Sequence, residues 1–91
     1  MIGIALMSQP YVTLRNQLTE LLRMSTGDAL SLRAWHDEAQ RLMRFARDQK
    51  LDLPPLIHPW LAGAEARAKD PLRAATENGE LAKYLSTLPR E

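Results

Sequence analysis

Apolar residues recur every three or four positions along most of the chain, which is the spacing of helices that bury one side. Two long segments, about 8–24 and 32–50, show the pattern best. In the first, Tyr11, Leu14, Leu18, Leu21 and Leu22 fall within an arc of about 100°. In the second, the stripe consists of Leu32, Trp35, Ala39, Leu42, Met43 and Ala46. We expect these two stripes to pack against each other.

Residues that favour helix ends bracket these two segments. Ser8 is a candidate N-cap for the first helix, with Pro10 tolerated in its first turn. The turn between the helices contains Gly27, which suits a C-cap or a left-handed position. Ser31 is the predicted N-cap of the second helix.

Prolines and glycines divide the rest of the chain. Pro54 and Pro55 end the second helix, because proline lacks an amide donor and disfavours helix in the residue before it. His58 and Pro59 predict the start of a helix over 59–69. Asp70 followed by Pro71 predicts a new start, and Asn78-Gly79 predicts an interruption.

The sequence therefore predicts an all-α fold, a compact single-domain bundle of four to five helices with short loops. The predicted helices span about 8–24, 32–50, 59–69, 71–78 and 80–88. The predicted domain is 8–88, preceded by a flexible or docked apolar leader, 1–7, and followed by a tail, 89–91. Composition agrees with this fold. The chain contains 16 Leu, 12 Ala and 4 Met but only one Val and three Ile, and β-branched residues favour strands.

Composition and charge exclude several classes of function. Without cysteine there is no disulfide, thiolate zinc site or iron–sulfur cluster, and a reducing, cytoplasmic location is expected. A net charge of +1, from 12 basic and 11 acidic residues, is not that of a dedicated nucleic-acid binder. No stretch approaches the roughly 20 apolar residues of a membrane span. Nine arginines against three lysines, with abundant alanine, suggest a bacterial source.

Arginines on the second helix form one candidate surface. Arg33, Arg41, Arg44 and Arg47 lie within an arc of about 120°, away from Trp35. One interpretation is a phosphate or nucleic-acid surface. The other is a solvated face, because Asp37 and Asp48 stand at i,i+4 from three of the arginines and would weaken the outward field.

Large apolar residues outside the main stripes form a second candidate surface, for a protein partner. The candidates are Phe45, Leu53, Leu56, Ile57 and Trp60. The segment from Leu53 to Trp60 is stiffened by three prolines, and a rigid apolar loop loses little entropy on binding. The alternative is that other helices of the same chain cover these residues.

Catalytic, metal and cofactor sites are not predicted. His36 and His58 are the only histidines, and neither has a nucleophile, carboxylate or second ligand at a recognisable spacing. An enzyme would need a concave polar pocket that contains one of them together with a carboxylate. The four glycines are scattered and form no phosphate-binding loop.

Two short segments resemble peptidyl carrier proteins. Gly27-Asp28-Ala29-Leu30 is similar to the attachment motif of that family, and His58-Pro59-Trp60-Leu61-Ala62-Gly63 is similar to a later segment. Ala29 stands where the family has the serine that carries phosphopantetheine. The resemblance therefore implies at most a relative that is not acylated, and no cofactor is expected.

The leading functional hypothesis is a non-enzymatic protein–protein interaction module, such as an adaptor, a chaperone-like protein or an inhibitor. Its partner is another protein or a second copy of the chain. The alternative is a nucleic-acid-binding regulator that uses the arginines of the second helix, although the overall charge makes nucleic acid the weaker partner.

Overall fold

The computed structural model describes the backbone of residues 2–89 and the side chains of residues 9–89. Five helices make up this part of the chain, and it contains no strand. The helices are α1 (Ile2–Arg23), α2 (Ala29–Asp48), α3 (Ile57–Ala62), α4 (Ala64–Lys69) and α5 (Pro71–Leu85). The predicted fold class, an all-α bundle with short loops, is confirmed.

Helix α1 begins earlier than predicted. Its backbone is helical from Ile2, so the start predicted at Ser8 is wrong and residues 2–7 of the predicted leader belong to the helix. Pro10 lies inside α1 and not in its first turn. An interior proline removes one backbone hydrogen bond, but Ala5, Leu6 and Met7 before it favour helix and allow the helix to continue. Of the predicted tail, residues 90–91 lie outside the described residues.

Asp28, and not Ser31, caps the N-terminus of α2. The amide of Ser31 donates to Asp28 Oδ1 at 2.8 Å, and the Ser31 hydroxyl donates to Oδ2 at 3.0 Å. These hydrogen bonds, the backbone one foremost, lower the pKa of the Asp28 carboxyl. The N-cap therefore lies three residues before the predicted one, because aspartate caps a helix as well as serine does.

Helix α2 ends in a left-handed turn at a lysine. Lys50 has φ of 54°, and its amide donates to the carbonyl of Arg47 at 3.1 Å. The amide of Leu51 reaches back to the carbonyl of Ala46 at 2.9 Å. This is the Schellman arrangement, which satisfies the last carbonyls of a helix.

Two predictions for the C-terminal half were wrong in opposite directions. The helix predicted over 59–69 is divided into α3 and α4 by a turn at Gly63, whereas α5 runs unbroken through Asn78 and Gly79. An interior glycine costs a helix only about 1 kcal/mol. The Asn78 side chain, which could compete for backbone groups, instead accepts a hydrogen bond from the Trp60 indole at 3.0 Å.

The predicted cap at Asp70 is confirmed, with Pro71 in the first turn of α5. Asp70 Oδ1 accepts from the amides of Leu72 at 3.1 Å and Arg73 at 3.3 Å. Helix α5 ends at Leu85, three residues before the predicted end.

The core lies where α1, α2 and α5 meet the two short helices. Helix α1 packs on α2, as the two apolar stripes predicted, and also on α5, while α5 contacts α3 and α4. The main apolar cluster comprises Leu14, Leu18, Leu21, Trp35, Ala39, Leu42, Ile57, Trp60, Ala64, Leu81 and Leu85. Leu72, at 82% exposure, lies outside it.

Two tryptophans pack between α2 and α3. Trp35 on α2 is 1% exposed and Trp60 on α3 is 4% exposed, and their ring centroids are 5.5 Å apart. The residues that follow them in the sequence, His36 and Leu61, line a groove beside the two indoles.

Candidate binding groove

A groove of about 580 Å³ lies between α2 and α3. Such volumes are typical of ligand and peptide pockets. Its lining residues are His36, Ala39, Gln40, Met43, Arg44, Arg47, His58, Leu61 and Ala62. The six residues from α2 stand at i, i+3, i+4, i+7, i+8 and i+11, so one continuous helix face forms one wall.

A second hollow continues the groove toward the loop after α2. It has a volume of about 290 Å³ and shares Met43, Arg47 and His58 with the first. Lys50 and Leu53 also line this hollow. The combined depression follows α2 from His36 to its C-terminal turn, a length of about 20 Å at 1.5 Å per residue.

The floor of the groove is apolar and its rim is cationic. Ala39 is buried at the base, and Met43 and Leu61 are half-buried on the two walls. Arg44 and Arg47 are exposed, and no carboxylate is among the lining residues. Within residues 9–89, Arg44 makes no ion pair, and the carboxylate paired with Arg47, that of Asp48, lies 4.0 Å away.

Both histidines line this groove, and both are exposed. The His36 ring meets the Trp35 ring edge-on, with centroids 5.3 Å apart. Neither imidazole hydrogen-bonds to a carboxylate within the described side chains. Both imidazoles therefore form part of the polar rim of the groove. The described residues hold no cluster of three potential metal ligands.

A buried arginine fastens the α3 wall to the rest of the fold. The side chain of Arg67 on α4 is 7% exposed, and its guanidinium lies 4.3 Å from the Trp60 ring centroid. Its Nη1 donates to the Trp60 backbone carbonyl and, at 3.1 Å, to Glu77 Oε1 on α5. One side chain therefore links α3, α4 and α5 and holds Trp60 in place by stacking and hydrogen bonding.

Glu77 is shared between two arginines. Its Oε2 accepts from Arg73 Nε at 2.5 Å while Oε1 accepts from Arg67. The hydrogen bond from Arg73, with a further contribution from Arg67, lowers the pKa of the Glu77 carboxyl. Burial lowers the pKa of Arg67, and Glu77 opposes that shift. The cluster is satisfied internally, so we regard it as structural.

The structure separates the apolar residues that were predicted to contact a partner. Ile57 and Trp60 are buried in the core, so they are unavailable to a partner in this conformation. Leu56 is half-buried against the core, and Phe45 is half-buried outside the main cluster. Leu53 is half-buried and lines the extension of the groove.

The four arginines predicted as a nucleic-acid surface are also divided. Arg44 and Arg47 line the groove, whereas Arg33 is exposed outside it. Arg41 pairs with Glu38 at 2.8 Å. The pairs expected from Asp37 do not form among the described residues. The four arginines therefore differ in their position relative to the groove and in their ion pairing.

Sequence reasoning missed two sets of residues. It did not pick out Gln40, Leu61 and Ala62 of the groove, because the groove depends on how α2 and α3 pack, which no local pattern encodes. It also missed Arg67 and Glu77, which fasten the α3 wall. The i,i+4 spacing of Arg73 and Glu77 on a predicted helix was an available signal.

Comparison of the chain with models of protein families, with curated proteins and with solved structures finds no match. None of the helices within residues 2–89 is both long and apolar enough to cross a membrane.

Proposed function

We propose that this chain is a non-enzymatic protein–protein interaction module and that it binds another protein in the groove between α2 and α3. The observation that carries the proposal is the uncovered face of α2. Over three turns, from His36 to Arg47, the lining face combines apolar floor residues with cations that lack close carboxylate partners. A helix face of this kind, beside a second helix, is the usual receptor for a peptide segment.

The chemistry of the lining favours binding over catalysis. Met43 has a flexible, polarizable side chain that adapts to different partner surfaces. Ala39 and Ala62 are small and allow close approach of a partner backbone. The enzyme alternative requires a carboxylate beside His36 or His58, and the lining contains none.

Nucleic-acid binding through the same helix is the weaker alternative. Such a surface depends on several cations that reach phosphates together. Arg41 is held by Glu38, Arg47 lies near Asp48, and the net charge is only +1. Undetectable binding to duplex DNA or RNA at low salt would eliminate this alternative.

Site-specific photocrosslinking in the cells from which the protein comes tests the proposal. A benzophenone amino acid replaces Leu61 in the groove or, as the matched control, Ala82, which is exposed on α5. We expect a protein adduct from position 61 and not from position 82. Adducts of equal yield at both positions, or none at position 61, would contradict the proposal.

A further inference from the structure

We propose that the occupant of the groove is an acidic amphipathic helix of a different protein, with apolar residues on one side and Asp or Glu along the edge that lies next to α2. This inference rests on the function proposed above and adds the chemistry of the partner. It follows from the shape, the charge and the length of the groove, taken in turn.

The shape favours a helical occupant. The residues described by the structure contain no strand, so no sheet edge is available to pair with an extended peptide. No Phe, Trp or Tyr is among the nine residues that line the groove, so the stacking surface that binds polyproline segments is absent. The depression follows one face of α2, which matches a helix laid along α2.

The charge favours carboxylates on that helix. Arg44 and Arg47 rise from one side of the floor, Lys50 lines the extension, and no acidic residue lines either hollow. Exposed Arg–carboxylate pairs add little stability individually, but they select the partner and accelerate its association. A basic or neutral helix with the same apolar side would leave these cations without partners.

The same cations disfavour a second copy of this chain. A two-fold dimer that used the groove would place the Arg44 and Arg47 of both copies in one interface, because such an interface uses one patch twice. No carboxylate within the lining offsets their mutual repulsion. The groove is therefore better matched to a different, acidic protein.

The length sets the size of the occupant. The lining face of α2 from His36 to Arg47 covers three turns, or about 16 Å. A partner helix of about 11 to 12 residues spans this distance. Apolar side chains at i, i+4 and i+7 would then contact Ala39 at the base and Met43 and Leu61 on the walls.

Binding of three synthetic peptides of 18 residues, measured by fluorescence anisotropy, tests the inference. All three carry Leu at i, i+4, i+7 and i+11 on an Ala-rich helix, and their flanking positions are all Glu, all Gln or all Lys. These three residues have similar helix propensities, so the peptides differ mainly in charge. We expect the Glu peptide to bind at least tenfold more tightly than the other two, with affinity falling as salt increases.

Charge reversal in the groove supplies the matched controls. In the R44E/R47E double variant we expect the preference to reverse toward the Lys peptide. The R23E/R33E variant makes the same change in net charge at exposed positions outside the groove, and we expect it to keep the preference for Glu. Circular dichroism of both variants checks that they fold.

The outcomes distinguish the inference from the function on which it rests. If all three peptides bind the groove equally, the acidic preference is wrong and peptide binding stands. If none binds although position 61 crosslinks to a partner, the amphipathic-helix occupant is wrong. If neither binding nor crosslinking occurs, both proposals fail. A dimer in solution that the R44E/R47E change dissociates would show that a second copy occupies the groove and would overturn the inference.

Discussion

The two sides of α2 differ in how far their side chains are buried and paired within the fold. On the inner side, Trp35 is buried and its indole donates to the carbonyl of Leu21 at 3.0 Å, while Leu42 is fully enclosed. On the outer side, Arg44 has no ion-pair partner within residues 9–89, and Met43 is only half covered. The inner side stabilises the fold, and the outer side is available for binding. The same helix therefore allows stability and binding to be separated by substitution.

The largest effect is expected from removing an indole that packs between α2 and α3. Trp60→Ala deletes a core side chain that also bonds to Asn78 and stacks on Arg67, and should lower the free energy of unfolding by about 3–5 kcal/mol. Urea denaturation measures this change. The exposed Leu72 provides the control, because Leu72→Ala should change stability by less than about 0.5 kcal/mol. Similar losses from both substitutions would contradict the assignment of the core.

Substitution of Arg67 tests whether its contacts with Trp60 and Glu77 stabilise the fold. Arg67→Met keeps the apolar stem but removes the charged donor to the Trp60 carbonyl, which retains only the 3.3 Å bond from the Gly63 amide, and removes one partner of Glu77. A loss of about 1–3 kcal/mol is expected, because hydrogen bonds to charged groups contribute more than neutral ones. Calorimetric melting detects it. A neutral result would show that the guanidinium makes no net contribution to holding α3.

Two glycines should respond to alanine with opposite signs. At Gly63 a Cβ would lie 3.0 Å from Glu77 Oε1 and 3.1 Å from Arg67 Nη1, so Gly63→Ala should destabilise by about 1–3 kcal/mol through overpacking. At Gly79, inside α5, nothing lies within 4 Å, and Gly79→Ala should stabilise by about 1 kcal/mol. Thermal unfolding of the pair checks the signs, and a gain at Gly63 would contradict the close packing at the cluster.

The pH dependence of stability should report Glu77. Because the folded state lowers the pKa of this carboxyl, its stabilising contribution is complete above the unfolded value of about 4.3 and is lost as pH falls through the folded value. Glu77→Gln should therefore melt at a lower temperature than the parent protein at pH 7, and the difference should shrink in acid. A difference in melting temperature that stays constant from pH 7 to pH 3 would contradict this account.

The smallest effect on stability is expected from the outer side of α2. The R44E/R47E variant changes two exposed side chains and should unfold within about 0.5 kcal/mol of the parent protein, although its binding preference changes. Urea denaturation measures this difference. A large loss of stability would show that the outer side also supports the fold and would remove the contrast between the two sides.

The sequence predicts the inner side of α2 better than it predicts where the C-terminal helices break. The inner stripe of α2 was predictable, because a 3.6-residue period follows from helix geometry and Trp35, Ala39, Leu42 and Ala46 are buried as expected. The break at Gly63 and the continuity at Gly79 were not. Both depend on contacts across the fold, the close approach of Arg67 and Glu77 to Gly63 and the bond from Trp60 to Asn78.

The candidate site was predictable only in parts. Arg44, Arg47 and Leu53 were singled out by their exposed positions or by an apolar loop, and they do line the groove or its extension. Ile57 and Trp60 were singled out for the same kind of reason but lie in the core. Sequence identifies apolar residues outside a stripe, but it does not show which of them another helix covers.

Titration of the ¹⁵N-labelled protein with the Glu peptide, followed by amide chemical shifts, shows whether the outer side of α2 and the facing side of α3 together form a binding groove. We expect shift changes concentrated at the residues of α2 and α3 that line the groove, with Gln40, Arg44 and Leu61 among them. Shift changes centred on α1 or α5, or spread over the whole domain, would contradict this expectation.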